Sequence, residues 1–275
     1  MHPPSLCVHH FLHSRHGVAG RRVRLWLPKA YHDEPARRFP VLYLQDGQNV
    51  FDDDAAFAGV GWRVDRTAED LIAKRRIEPL ILVGIDNSGQ HRTDDYTPVR
   101  WQGRGGDADP FGRMLTDEIK PFVDERYRTR ADRESTGIAG ASLGGLFALH
   151  LAVTRPDVFG RVAALSPTVW WANGHLLRRI AALRARLPLR VWIDVGKREA
   201  PPLRQNIRAL QDLLVAKGWQ THRDARQATL RHADVARGRH DEASWGRRFE
   251  RVLKFLFPAP KAARRAARHR TAVAR

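Results

Sequence analysis

The sequence predicts an α/β fold in which helices cover both faces of a mainly parallel central sheet. Three observations carry that prediction. Short continuous apolar runs bounded by turn residues, such as 40–44 and 79–85, read as strands buried on both faces. Between such runs lie stretches with apolar residues at helical spacing, and this alternation is the mark of parallel strands joined by crossover helices. A chain of 275 residues with 43% hydrophobic content can bury one large core, and no internal repeat points to a second one. The organisation expected is an N-terminal segment over 1–20, one domain over 21–258 and a basic, disordered tail over 259–275.

In order along the chain, 23–27 alternates apolar residues with arginines and reads as an early, half-exposed strand. Residues 32–38 read as a polar loop and 40–44 as a buried strand, which runs into the turn Gln45-Asp-Gly-Gln-Asn49. Val64, Ala68, Leu71 and Ile72 share one face of a helix over 62–76, and 79–85 is a second buried strand. The polar stretch 86–107 predicts a loop, long enough inside a compact domain to carry function or to move. Asp109 as cap and Pro110 at the first position predict a helix burying Phe111, Met114, Leu115, Ile119, Phe122 and Val123, kinked or divided at Pro121. An apolar strand around Ile138 and Ala139 leads through Gly140-Ala-Ser-Leu-Gly144 into a helix that stops before Pro156. Residues 162–165 read as a strand ending at Ser166-Pro167, with Thr168-Val-Trp-Trp171 in the loop after it. A helix over 175–187, a strand over 189–195 and an amphipathic helix over 202–217 closed by Gly218 come next. The stretch 220–236 has no clean pattern, and 228–232 is the best candidate for the last strand. Residues 237–245 open a final helix containing Trp245, Phe249, Val252, Leu253 and Leu256.

Composition narrows the classes. Cys7 is the only cysteine, which rules out an internal disulfide and a cysteine metal cluster and fits a reducing compartment. Residues 1–20 are rich in histidine, with no long apolar run, and do not read as a secretory signal. No stretch approaches the roughly 18 apolar residues of a spanning helix, so the expected location is cytoplasmic, away from membranes. The net charge of +18 comes mostly from arginine. It admits a polyanion-binding surface or simply a solvated basic surface. The one concentration is 261–275, with Lys261, Arg264, Arg265, Arg268, Arg270 and Arg275 and no acid, set off by Pro258 and Pro260. It reads as an appended tail making nonspecific polyanion contacts.

The chemistry centres on Gly140-Ala-Ser-Leu-Gly144, a G-x-S-x-G match at a strand-to-helix turn, the nucleophile elbow of the α/β-hydrolase fold. Ser142 must stand on a strained turn with its hydroxyl above the sheet, and glycines two residues either side allow neighbouring backbone to come close. The alternative is a glycine-rich turn with an idle serine. A serine hydroxyl needs a base, and the base needs an orienting acid. In this fold both follow the serine, acid first and histidine second. Of His150, His175, His222, His232 and His240, the last follows a glycine-containing turn and immediately precedes the final helix, where the fold holds its base. Glu199 and Asp194 compete as the acid. Asp194 still lies within its strand, whereas Glu199 stands in the loop beyond Gly196, and position favours Glu199. Two backbone N–H groups must face the developing oxyanion. Leu143 supplies one and the Asp46-Gly47-Gln48 turn the other, from Gln48 rather than Gly47.

The motifs Leu42-Tyr-Leu-Gln-Asp-Gly-Gln-Asn49, Gly140-Ala-Ser-Leu-Gly-Gly145, Leu165-Ser-Pro-Thr-Val-Trp-Trp171, Asp194-Val-Gly-Lys-Arg-Glu199 and His240-Asp-Glu-Ala-Ser-Trp245 together resemble the putative esterase family of α/β hydrolases. That family includes enterochelin, feruloyl and acetyl-xylan esterases and the esterase D group. The resemblance runs from about residue 20 to 257 and implies Ser142 as nucleophile, Glu199 as acid and His240 as base. Trp170 and Trp171 look most like the enterochelin-esterase branch, where aromatic residues line a pocket for aryl esters. The charged segment before His240 and the arginine-rich tail depart from the family pattern.

The expected function is a serine carboxylic-ester hydrolase working through an acyl-enzyme on aryl, siderophore-type or sugar esters. An acyltransferase with the same triad, or a non-catalytic polyanion-binding protein on a hydrolase scaffold, are the alternatives. The expected substrate contacts are Trp170, Trp171 and Arg92, with Trp62 and Trp101 as further aromatic candidates. For Arg92, a structural pair with Asp94 or Asp95 is the competing reading. Nothing in the sequence suggests a metal or organic cofactor.

Overall fold

The computed structural model describes residues 6–224 and 226–260. Among them, β1 (Leu6–His13), β2 (Ala19–Trp26), β3 (Val41–Gln45), β4 (Ile81–Ile85), β5 (Thr136–Ala141), β6 (Arg161–Leu165), β7 (Arg190–Gly196) and β8 (Leu230–Val235) form one sheet. Their spatial order is β1-β2-β4-β3-β5-β6-β7-β8. The β1–β2 and β2–β4 pairs are antiparallel and all the others parallel. The expected α/β fold, mainly parallel and covered on both faces, is the one observed. Side chains of β3 show why its run is continuously apolar. Val41 and Tyr43 enter the core on one face, Leu42 and Leu44 the core on the other. From the adjacent β3 and β5 the chain winds outward in both directions. The crevice beyond their carboxyl ends is therefore a topological switch point, where open α/β sheets bind ligands.

The helices are α1 (Lys29–Asp33), α2 (Val64–Ala73), α3 (Arg92–Tyr96), α4 (Ala108–Met114), α5 (Lys120–Arg126), α6 (Leu143–Thr154), α7 (Trp171–Ala181), α8 (Pro201–Ala216) and α9 (Glu242–Leu256). None of the described helices is long and apolar enough to cross a membrane.

Several elements differ from expectation. β1 lies within 1–20, where the sequence reading placed no element, and pairs along β2 from Leu6 to His13. The short helix α1 enters the stretch read as polar loop. The stretch 86–107 is not structureless: a 3-10 turn (Gly89–His91) and α3 occupy it, because buried Tyr96 packs its ring against Phe111 and Phe147. Asp109 does not cap the next helix. The cap position falls at Asp107, and the Asp109 carboxylate instead lies 2.7 Å from His150 Nε2. A π-turn at Leu115–Ile119 precedes Pro121, and this wider turn absorbs the missing N–H and the ring of the proline. Within α7, Ala172, Asn173 and Gly174 are left-handed, so regular helix starts at His175 as expected, but it ends at Ala181 instead of 187. The last strand lies two to three residues later than read. Of the tail read over 259–275, Ala259 is buried instead of disordered, and residues 261–275 lie outside the described residues.

Candidate active site

Ser142 stands between β5 and α6 with φ 55° and ψ −120°. A non-glycine residue held at positive φ costs energy that the surroundings must repay. They do so through three backbone hydrogen bonds: Ser142 N–H to Leu165 O (2.9 Å), and Thr168 N–H (3.1 Å) and Leu146 N–H (3.0 Å) to Ser142 O. The flanking glycines answer to the same tight turn. A Cβ on Gly140 would overlap the backbone of Gly144, and one on Gly144 would lie 3.1 Å from Gln45 Cβ.

Two further loops converge on this turn. Gly196, at the end of β7, and Gly238, beyond β8, pack backbone to backbone, and Arg198 N–H donates to Gly238 O at 3.1 Å. The contact brings Glu199 and His240 side by side. Asp241 then accepts a hydrogen bond of 2.7 Å from Ser244 N–H and caps α9, which anchors the chain directly after His240. His240 Nε2 lies 2.9 Å from Ser142 Oγ, and His240 Nδ1 lies 2.8 Å from Glu199 Oε2. Among the other histidines considered, His150 faces Asp109, and His232 lies 3.9 Å from Asp234.

The two competing carboxylates sit in different surroundings. Glu199 Oε1 accepts hydrogen bonds from Ser166 Oγ and Gly196 N–H, both 2.7 Å. Burial alone would raise its pKa; the hydrogen bonds from His240, Ser166 and Gly196 outweigh that and hold it below the ordinary glutamate value. Asp194 is fully buried, takes a 2.9 Å hydrogen bond from Trp192 Nε1 and lies 3.4 Å from Arg248 Nη1. Burial pushes its pKa up to about 6 against the pull of Arg248 and Trp192.

Ser166 and Arg248 were not singled out from sequence. Ser166, itself at positive φ, donates to Glu199 while accepting from Arg248 Nη2 (2.9 Å) and Trp245 Nε1 (3.3 Å). Arg248 is buried between Asp194 and Glu199. The only local signal was the Ser166-Pro167 strand ending. An arginine on an amphipathic helix gives no hint of burial.

Leu143 is the first residue of α6, so its N–H has no partner within the helix, and it adjoins Ser142. Gln48 is in a 3-10 turn (Gly47–Asn49) directly after β3, the strand beside β5. Asp46 enters this turn at φ 56°. The Arg92 guanidinium forks onto the Asp46 carboxylate (Nε–Oδ1 2.7 Å, Nη2–Oδ2 2.8 Å), Asn87 Nδ2 adds a third contact at 2.7 Å, and Tyr96 Oη accepts from Asp46 N–H. The partner of Arg92 is thus Asp46, not Asp94 or Asp95.

Thr168 Oγ1 is 3.4 Å from Ser142 Oγ, and the same loop continues to Trp170 and Trp171. Trp101 makes edge contacts with both, at 5.8 and 5.4 Å between ring centroids. Trp171 is buried and bonded to Val99 O, whereas Trp170 is 42% exposed. Trp62 does not join them. It is buried against Trp245 and Phe249 in the core on the other face of the sheet.

A sheet of this order, turning at its switch point on a strained serine, is the architecture of the α/β hydrolases. Residues 19–256 match the family described as "Putative esterase". The chain belongs to that family and is a carboxylic-ester hydrolase. It is 26% identical over 221 residues to "Uncharacterized protein YbbA" of Bacillus subtilis (strain 168), covering 78% of this chain and 81% of that one. It is 29% identical over 239 residues to "Iron(III) salmochelin esterase" of Escherichia coli O6:H1, covering 83% of this chain and 53% of that one. Among solved structures, the enterobactin esterase FES from Shigella flexneri aligns with a TM-score of 0.75 at 23% identity, over 93% of this chain and 59% of that one. The chain spans little more than half the length of these two siderophore esterases.

Proposed function

We propose that the chain is a serine esterase that cleaves aryl or siderophore-type esters through a Ser142–His240–Glu199 triad and an acyl-enzyme. The observation that carries this reading is the unbroken hydrogen-bonded line from Ser142 Oγ through both nitrogens of His240 to Glu199. Ser142 Oγ attacks the ester carbonyl as His240 Nε2 takes its proton. Glu199, ionised and fixed from behind by Ser166 and Gly196, stabilises the imidazolium and keeps Nδ1 protonated. The N–H groups of Leu143 and Gln48 meet the oxyanion, a contact whose loss costs on the order of a hundredfold to a thousandfold in turnover. His240 returns its proton to the leaving alcohol and then deprotonates the water that releases the acid. The His240 side chain is 41% exposed, so water reaches it readily, which favours hydrolysis over transfer to another alcohol.

The aromatic wall of Trp101, Trp170 and Trp171 beside the serine loop supports an aromatic substrate, as do the relatives named for siderophore esters. Initial rates on nitrophenyl acetate, feruloyl and acetyl sugars, and a catechol-bearing siderophore lactone test this. The expected order puts the catechol lactone highest in kcat/KM. Sugar esters turning over best, with the lactone untouched, would refute the substrate class while leaving the triad standing.

A further inference from the structure

A cavity of about 490 Å³ opens at the other end of the sheet from Ser142, where β6 and β7 begin. Five arginines line it, Arg133, Arg161, Arg186, Arg190 and Arg226, against one acid, Glu134. Much of their hydrogen bonding goes to backbone carbonyls. Arg133 donates to the oxygens of Pro156 and Pro188, Arg161 to those of Glu134 and Leu256, Arg190 to those of Phe255 and Ala228, and Arg226 to that of Ala259. A carbonyl satisfies an N–H but brings no counter-charge. The carboxylates at hand are already engaged: Glu134 lies 2.9 Å from Arg133, Glu78 lies 2.7 Å from Arg130 and 3.8 Å from Arg161, and the charge of Asp224 acts on Arg190. Burial, and then the cations Arg161 and Arg231, push the Arg190 guanidinium down to about 10, with Asp224 offsetting part of this. Exposed Arg186 has no hydrogen-bond or ion-pair partner among the described residues.

We propose that this cavity binds a compact phosphate-type oxyanion, with the free guanidinium of Arg186 closing over it. Guanidinium forks match phosphate oxygens two at a time and remain charged at any working pH. A partly enclosed cationic cavity strengthens that attraction relative to open solvent. The lining holds no aromatic side chain on which a nucleobase could stack, which separates a compact phosphate from a nucleotide.

Calorimetric titration of the full chain with inorganic pyrophosphate tests this. The expected result is one saturable site, weakened by added salt. Arg186→Glu should bind at least about tenfold more weakly while its ester turnover and ligand-free melting temperature match the parent. Because the chain carries +18 overall, Arg66→Glu serves as the control of equal charge change. Arg66 is exposed in the first turn of α2, next to the turn that ends β3 and far from the cavity, and its variant should keep pyrophosphate affinity within about twofold. Absence of a saturable site, equal loss in the two variants, or tighter binding of adenosine diphosphate than of pyrophosphate would each overturn the proposal. None of these outcomes bears on the triad.

Discussion

Replacing Glu199 by glutamine should leave the chain folded and nearly inactive, and the hydrogen bonds around the carboxylate say why. Its Oε1 accepts from three donors, Gly196 N–H, Ser166 O–H and, at 3.4 Å, Arg248 Nη2, while Ser166 is in turn committed as acceptor to Arg248 and Trp245. A glutamine must therefore place its carbonyl oxygen there, because the amide NH2 would face donors. The NH2 is left opposite His240 Nδ1, which must then accept. The imidazole proton moves to Nε2, pointing at Ser142 Oγ, and the ring can no longer take the serine proton. Loss of the charge and the wrong tautomer together should reduce kcat by up to about ten-thousandfold. The melting temperature should barely move, because the amide oxygen keeps the buried contacts at Oε1 and Arg248 retains Asp194 as a charged partner. The assay is nitrophenyl ester turnover beside thermal unfolding, with Asp194→Asn as comparison. A Glu199→Gln variant retaining a tenth of parental turnover, or an Asp194→Asn variant that is folded yet inactive, would refute the reasoning.

Asp194 makes a separate prediction about stability. Its folded pKa of about 6 lies above the unfolded value near 4, so the folded chain binds that proton more tightly. Its stabilising share is complete below about pH 4 and is lost as pH rises through about 6. Asp194→Asn should remove this downward slope, and denaturant unfolding at intervals over that window checks it; an unchanged slope contradicts the assignment. Arg92→Ala leaves the buried Asp46 carboxylate without its fork and should cost on the order of 3 kcal/mol of stability, along with turnover, because the Gln48 turn loosens. A rise in KM with no change in melting temperature would instead mark Arg92 as a pure substrate contact. Trp170→Ala should raise KM for aryl esters roughly three- to tenfold and leave acetate esters and melting temperature nearly unchanged; equal effects on both ester types would remove Trp170 from the aryl pocket.

What could be read from the sequence was what local spacing determines. Gly140-Ala-Ser-Leu-Gly144 specifies its own turn, because the close approach of Gly140 and Gly144 is a property of five consecutive residues. Chain order and strand length were enough to prefer His240 and Glu199, which the fold places 2.8 Å apart. Contacts set by tertiary packing were not readable. Nothing local ties Arg92 to Asp46, forty-six residues away, and nothing in α9 announces that Arg248 is buried between two carboxylates. β1 escaped because apolar residues and histidines fall on both of its faces. Cys7, His9 and Phe11 face inward, with His9 bonded to Tyr127 Oη and packed on Phe122, while Val8 and Leu12 are exposed, so no hydrophobic alternation marks the strand. β8 was read two to three residues early because it is an edge strand in which only Leu230 is fully buried.

The central claim is that Ser142 is the covalent nucleophile, and a fluorophosphonate probe tests it most directly. Incubation followed by intact mass and peptide mapping should give one adduct per chain, on Ser142, formed in step with the loss of ester turnover. Ser142→Ala should take up none and should turn over at least about a thousandfold more slowly while remaining folded. An adduct on another residue, or a folded Ser142→Ala variant that still hydrolyses esters, would contradict it.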